Sequence, residues 1–224
     1  VKENLPLQLQ TNTKTLPKFI VIEGPIGVGK TTLATRMAEV FNYQTLLENA
    51  DDNPFLDDFY KNRQNNALAT QLHFLFQRAK QLENLRQTDL FEPVRIADFM
   101  IEKDRLFAET LLSKDEFALY STVFDKLRIE PPRPDLVIYL QASTHTLLQR
   151  VNQRGIRSEQ NINAEYLEQV NQAYSRFFHF YDDAPLLIIN AEQINIEDDD
   201  KTFNSLINYM LGIQNGRHYF NPSF

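Results

Sequence analysis

Short, nearly unbroken apolar runs alternate along this chain with longer stretches whose apolar residues recur every three to four positions. Phe19–Glu23 reads FIVIE, and VRIAD at 94–98, DLVIYL at 135–140 and PLLIIN at 185–190 repeat the pattern. Runs that are apolar at successive positions suit strands covered on both faces. A weaker strand is expected at 45–47. Between the runs, the helical spacing predicts helices over 31–41, 67–85, 103–112, 115–127, 144–152, 164–181 and 201–211. Strands and helices in alternation signify a five-stranded parallel sheet with helices on both faces, a three-layer α/β fold. Ligands of such sheets gather beyond the carboxyl ends of the strands, here just after Glu23, Leu47, Asp98 and Gln141.

Composition narrows the picture. A chain of 224 residues with 42% hydrophobic content can bury a full core as one domain. The net charge of −7 argues against an extended basic surface for a nucleic-acid polymer, so any basic site is expected to be local. With no cysteine in the sequence, the chemistry falls to oxygen and nitrogen groups. No apolar run approaches the roughly 20 residues that span a bilayer, no membrane association is expected, and a cytoplasmic location follows by default.

Gly24-Pro25-Ile26-Gly27-Val28-Gly29-Lys30-Thr31 fits G-x-x-x-x-G-K-[ST] between a strand and a helix start, with Thr32 next. The glycines let backbone N–H groups wrap phosphates, the helix dipole favours negative charge, and Lys30 reaches the terminal phosphates. Thr31 offers a hydroxyl to Mg²⁺, which makes ATP with Mg²⁺ the expected cofactor pair. Asp98, closing VRIAD, suits the metal-holding carboxylate, although it also reads as a helix N-cap. Arg150, Arg154 and Arg157 flank Gly155, an arrangement that suits a lid closing over a phosphoryl group; a solvated helix end is the plainer alternative.

The chain has no Asn-Lys-x-Asp segment of the kind that reads guanine in GTPases, and Phe99 stands where large ATPases carry a second acid. From about Lys18 onward the sequence resembles the deoxynucleoside kinase family, in particular its bacterial deoxyadenosine/deoxyguanosine kinase type. The resemblance is carried by residues 24–32, by the segment ENADDNPF at 48–55, by Tyr60, by 71–78, by 98–108 and by the arginine segment. It implies phosphorylation of a deoxynucleoside 5′-hydroxyl in nucleotide salvage, with Glu48 as general base. It also implies Tyr60 and Glu159 at the sugar 3′-hydroxyl, Gln71 reading the base, Arg78 paired with Asp104, and Phe107 stacked on the base. A homodimer through helices that include 67–85 is implied as well. Gln71 and Arg78, seven apart, share a helix face. One departure stands out: the family's acid-Arg-Ser triplet is Asp98-Phe99-Met100 here, and Arg105 or a lid arginine is the expected substitute.

The organisation expected is a flexible leader or linker remnant over 1–17 and a kinase domain over 18–224. An acceptor with an amino base, deoxyadenosine or deoxycytidine, follows if Asp104 is an ionised hydrogen-bond acceptor at the base. Two alternatives stay open at this point. A nucleoside monophosphate kinase would want extra arginine near Glu48, where Asp51, Asp52, Asp57 and Asp58 stand instead. A nucleotide-binding regulatory module would bind without turning over.

Overall fold

A computed structural model describes residues 16–88, 95–192, 194 and 199–222. Most of the expected leader, residues 1–15, and Val94 of the expected third strand lie outside the described residues. The sheet runs in the order β2-β3-β1-β4-β5-β6, with every neighbouring pair parallel. Its strands are β1 (Phe19–Glu23), β2 (Gln44–Leu46), β3 (Arg95–Ala97), β4 (Leu136–Gln141), β5 (Leu186–Asn190) and β6 (Arg217–Phe220). The central strands are buried along almost their whole length, as successive apolar residues require when helices cover both faces.

The sheet therefore has six strands rather than the five expected. β6 reads RHYF and alternates exposed with half-buried positions at the sheet's edge. It lacks the continuous apolar run that marks a strand covered on both sides. Pairing with β5, from Leu186↔Arg217 to Ile189↔Phe220, holds it in place. Arg217 Nη2 also donates to the carbonyls of Phe178 and His179 at 2.9 Å each.

The helices are α1 (Lys30–Phe41), α2 (Leu56–Lys61), α3 (Arg63–Thr88), α4 (Glu102–Leu111), α5 (Lys114–Leu127), α6 (Thr144–Arg154), α7 (Ala164–Phe180) and α8 (Asp200–Met210). Seven follow the predicted spans closely. The exception, α2, is a single short segment, LDDFYK, too brief for periodicity to reveal. α1 shows why the pattern works elsewhere: Leu33, Ala34, Met37, Ala38 and Phe41 form one buried stripe. Removing one such fully buried leucine, Leu33→Ala, is expected to cost about 2–5 kcal/mol. α1 stops at Asn42, whose left-handed backbone (φ 56°) suits an asparagine, and whose N–H returns to the Ala38 carbonyl.

β1 lies between β3 and β4. The chain leaves β1 toward one side of the sheet, returns through β3, and crosses to β4 on the other. The carboxyl ends at this switch point carry the phosphate loop, the segment containing Glu48 and Asp98. A second apolar cluster of Leu75, Leu82, Ile101, Ala108 and Tyr120 binds α3, α4 and α5 together beside it.

Candidate active site

The loop between β1 and α1 can follow its path only with glycine at particular places. Gly24 has φ 149°, and a Cβ there would lie 2.5 Å from the Leu140 carbonyl oxygen. A Cβ on Gly27, at φ 81°, would meet Val151 and the Leu147 carbonyl at 3.0 Å or less. Leu33 N–H returns to Gly29, so the loop runs straight into the first turn of α1. Lys30 Nζ donates to the carbonyls of Gly24 at 2.8 Å and Pro25 at 3.2 Å. Burial, and after it the positive charge of Lys103, lowers the Lys30 ammonium to about 8.

Asp98 follows β3 directly and is 2% exposed. Its Oδ2 accepts from the Thr31 hydroxyl at 2.6 Å, and its Oδ1 accepts from the backbone N–H of Glu48 at 2.7 Å. One carboxylate thus ties the phosphate loop to the segment after β2. That segment is also fastened to α3. Gln81 donates to the Leu47 carbonyl, Gln77 to that of Asn49, and the buried Asn53 to that of Thr70. Asn53 Oδ1 accepts from Phe55 N–H as well, which is the structural use of the asparagine in Asn-Pro-Phe.

Three acidic and two basic side chains then meet within one buried network. Arg78 donates Nη1 to Asp104 and Nη2 to Glu48. Lys103 Nζ donates to the other Glu48 oxygen at 3.0 Å and lies 3.9 Å from Glu23. Glu23, wholly buried, accepts from the N–H groups of Gly24 and Met100 and from the Tyr174 hydroxyl. Burial alone would raise the Glu48 carboxyl, yet Arg78, Lys103 and Lys30 hold it far below the carboxylate range. Burial dominates at Asp104 and pushes it up to about 6 despite Arg78. Asp104 Oδ2 is buried without a hydrogen-bond partner.

Of these groups, Glu48, Arg78, Lys103 and Tyr174 wall a cavity of about 280 Å³. Gly24, Ile26, Gly27, Gly29, Lys30, Thr31 and Thr32 line one side, whereas Pro25 and Val28 of the motif do not. Glu48, Tyr60, Gln71, Arg78, Asp98, Lys103, Phe107, Arg154 and Glu159 line the rest. Tyr60, from α2, meets Tyr166 of α7 edge-on at 5.9 Å. Burial and then its neighbours Tyr166 and Glu159 push the Tyr60 phenol well up, so it stays a neutral hydroxyl. Phe107, half-buried on α4, packs against Tyr174 at 5.7 Å. Gln71 and Arg78 do share a face of α3, and both are buried against the cavity.

Besides Pro25 and Val28, three of the expected site residues stand off the cavity. Asp104 lies behind Arg78 rather than on the wall. Arg150 turns the other way, donating to the carbonyls of Val28 and Ala191 and so bracing the phosphate loop against the segment after β5. Arg157 is exposed in a 3-10 turn, Arg157–Asn161. Arg154 reaches the wall but is held by Glu159, with Nη2 to Oε2 at 2.6 Å. Sequence reading missed Glu23, Lys103, Tyr166 and Tyr174. An acid ending an otherwise apolar strand was the available signal for Glu23; Lys103 lay unmarked in the first turn of a helix.

A Gly-rich loop that opens a helix, a carboxylate on the adjacent strand and an enclosed polar cavity make this a P-loop phosphotransferase for a small acceptor. Its family is shown by likeness: the model described as "Deoxynucleoside kinase" matches residues 20–212, and the chain belongs to that family. The deoxyguanosine kinase of Bacillus subtilis (strain 168) is 42% identical over 158 residues, covering 70% of this chain and 76% of that protein. The deoxyadenosine/deoxycytidine kinase of the same organism is 27% identical over 210 residues, covering 88% and 94%. The structure of deoxyadenosine kinase from M. mycoides with bound dATP aligns at TM-score 0.73 and 27% identity, over 87% of this chain and 98% of that one. The protein is therefore an enzyme, a deoxynucleoside kinase, and both alternatives left open above give way.

Proposed function

We propose that the enzyme transfers the γ-phosphoryl group of ATP to the 5′-hydroxyl of deoxyadenosine or another amino-base deoxynucleoside. The observation that carries this reading is the double bond-making of Asp98, which sets the phosphate loop and Glu48 side by side in one cavity. The loop amides and Lys30 hold the donor phosphates. Glu48 takes the hydroxyl proton as the acceptor 5′-oxygen bonds to the γ-phosphorus. The bond from that phosphorus to the β,γ-bridging oxygen breaks, and its electron pair stays on ADP. Tyr60 and Glu159 engage the sugar hydroxyl, Gln71 the base edge, and Phe107 the base face.

A hard cation fits the oxygen pair of Thr31 and Asp98, and no larger acidic cage occurs among the described residues, which is the pattern expected for Mg²⁺ shared with phosphates. Bound there, Mg²⁺ would neutralise charge on the donor's phosphate oxygens. Asp104 is paired with Arg78 and stands off the cavity wall, so the amino-base preference requires its unpartnered Oδ2 to reach an exocyclic amine once the acceptor is bound. Exposed Phe76 on α3 and exposed Leu119 on α5 are apolar side chains that a homodimer through these helices would cover. Among the described residues no helix is long and apolar enough to cross a membrane; the cytoplasmic location remains part of this reading.

Steady-state kcat/KM for the four deoxynucleosides with ATP and Mg²⁺ is the test. Deoxyadenosine or deoxycytidine is expected to lead. Thymidine as the best acceptor would overturn the base preference, and no turnover of any of the four would overturn the acceptor class.

A further inference from the structure

Lys103 is built into the site more deeply than any arginine of the 150–157 segment. It occupies the first turn of α4, is 5% exposed, and reaches Glu48 at 3.0 Å. Glu23 at 3.9 Å neutralises it without a hydrogen bond, and that carboxylate already receives Gly24, Met100 and Tyr174. An ammonium has three donors, and one is committed to Glu48. A buried lysine on a wall that faces phosphate has the remaining donors for anionic oxygens.

Its position relative to the two substrates is fixed by Asp98. Glu48 hangs from one Asp98 oxygen and Thr31 from the other, so Lys103 stands with the acceptor side while Lys30 stands with the donor side. Both side chains line the cavity, and the charge of Lys103 is among the causes that lower Lys30. A group that spreads negative charge over three equatorial oxygens is what two facing cations accommodate. Other cations are committed or remote: Arg78 is shared between Asp104 and Glu48, Arg154 is held by Glu159, and Arg105 is exposed. Phe99, at the position of the family arginine, is apolar and buried.

We propose that Lys103 is a catalytic residue whose ammonium contacts the equatorial oxygens of the transferring phosphoryl group from the acceptor side, shared between that group and Glu48. The proposal rests on the reading of Glu48 as proton acceptor. Lys103 keeps its proton throughout, and the bonds that form and break are those to phosphorus given above. As its ammonium turns toward the phosphoryl oxygens, its grip on Glu48 loosens. The carboxylate becomes a better base when the donor is in place, which couples proton removal to phosphoryl arrival.

Lys103→Met retains length and removes charge; Lys103→Arg retains charge. With ATP, Mg²⁺ and the best deoxynucleoside, Lys103→Met is expected to lower kcat by about 100-fold or more while the acceptor KM changes by less than about threefold. Lys103→Arg should recover at least about tenfold of that loss. The discriminating measurement is assembly of ADP, aluminium fluoride and deoxynucleoside as a mimic of the transferring group. Lys103→Met should weaken that complex by about 100-fold and ADP alone by less than about threefold. A kcat above about a tenth of the parent's, or equal weakening of both complexes, overturns the proposal. Should Lys103→Met fail to fold, Lys103→Gln is read against Lys103→Arg by the same two criteria. Glu48→Gln is measured alongside. If it turns over normally, the reading of Glu48 fails; if it is slow while Lys103→Met is unimpaired, only the role of Lys103 fails.

Discussion

The phosphate loop is one unbroken stretch, residues 24–31, whereas the acceptor wall draws on α2, α3, α4, α7 and the segment after β2. On the side proposed for the donor the groups presented are mostly backbone N–H donors whose positions follow from glycine dihedrals and from what a Cβ would strike. On the acceptor side they are charged side chains that neutralise one another: Arg78 between Asp104 and Glu48, and Lys103 between Glu48 and Glu23. A change in the first half stays local. A change in the second leaves some buried charge without its partner.

The sharpest way to break this contrast is at Glu48. Glu48→Gln keeps the backbone bond to Asp98 and is expected to lower kcat by about 10²–10⁴, with acceptor binding retained. Single-turnover rates and equilibrium binding of deoxynucleoside check both parts; a normal rate would remove the base from the mechanism. Lys30→Ala should lower kcat/KM by about 10²–10³ and leave the circular dichroism spectrum unchanged, because the loop glycines and not the lysine shape the backbone. Retention of more than about a tenth of kcat/KM would contradict the donor role.

The acceptor network calls for a pair of changes. Arg78→Met alone leaves Glu48 and Asp104 facing each other and is expected to destabilise by about 3–5 kcal/mol in urea unfolding. Arg78→Met with Asp104→Ala should recover much of that stability and raise thymidine kcat/KM relative to the amino bases. Additive losses in the double variant would mean that the two residues do not act as a pair.

The smallest effect expected is a pH dependence of stability. Lys30 sits at about 8 in the folded protein, below its unfolded value of about 10.4. Between those two values the unfolded chain binds more protons, so Lys30 contributes a stability that rises with pH across the window; below about 8 its buried charge is a cost. Lys30→Met should therefore raise Tm at pH 7, and the gain should shrink as pH climbs toward 10. A gain that grows with pH would reverse the assignment.

Much of the fold could be read in advance because its central strands and long helices announce themselves by burial on both faces or along one stripe. β6 and α2 could not, the one being a half-exposed edge and the other a short helix set by its neighbours. The site divides the same way. A contiguous loop constrained by glycine leaves a mark in the sequence, and so did Asp98 at a strand end. Lys103 and Tyr166 left none, because their importance arises only when α4 and α7 bring them to Glu48 and Tyr60. Arg150 is placed differently from the expectation. A cation near a glycine suggests a lid, whereas in the structure Arg150 donates to the carbonyls of Val28 and Ala191.

Asp98 works as a ruler. The span from its one oxygen to the other is fixed by covalent geometry, and the Thr31 hydroxyl of the phosphate loop and the Glu48 amide hang from its two ends. For anyone redesigning the enzyme toward unnatural acceptors, this separates what can be varied from what sets the scale. On the proposed reading the α3 and α4 wall can be recut for a different nucleobase, but the reach between the Thr31 hydroxyl and Glu48 belongs to one side chain. Asp98→Glu, longer by one methylene, would keep charge and chemistry and still shift the two ends against each other by roughly an ångström, a displacement that can cost about 100-fold in rate.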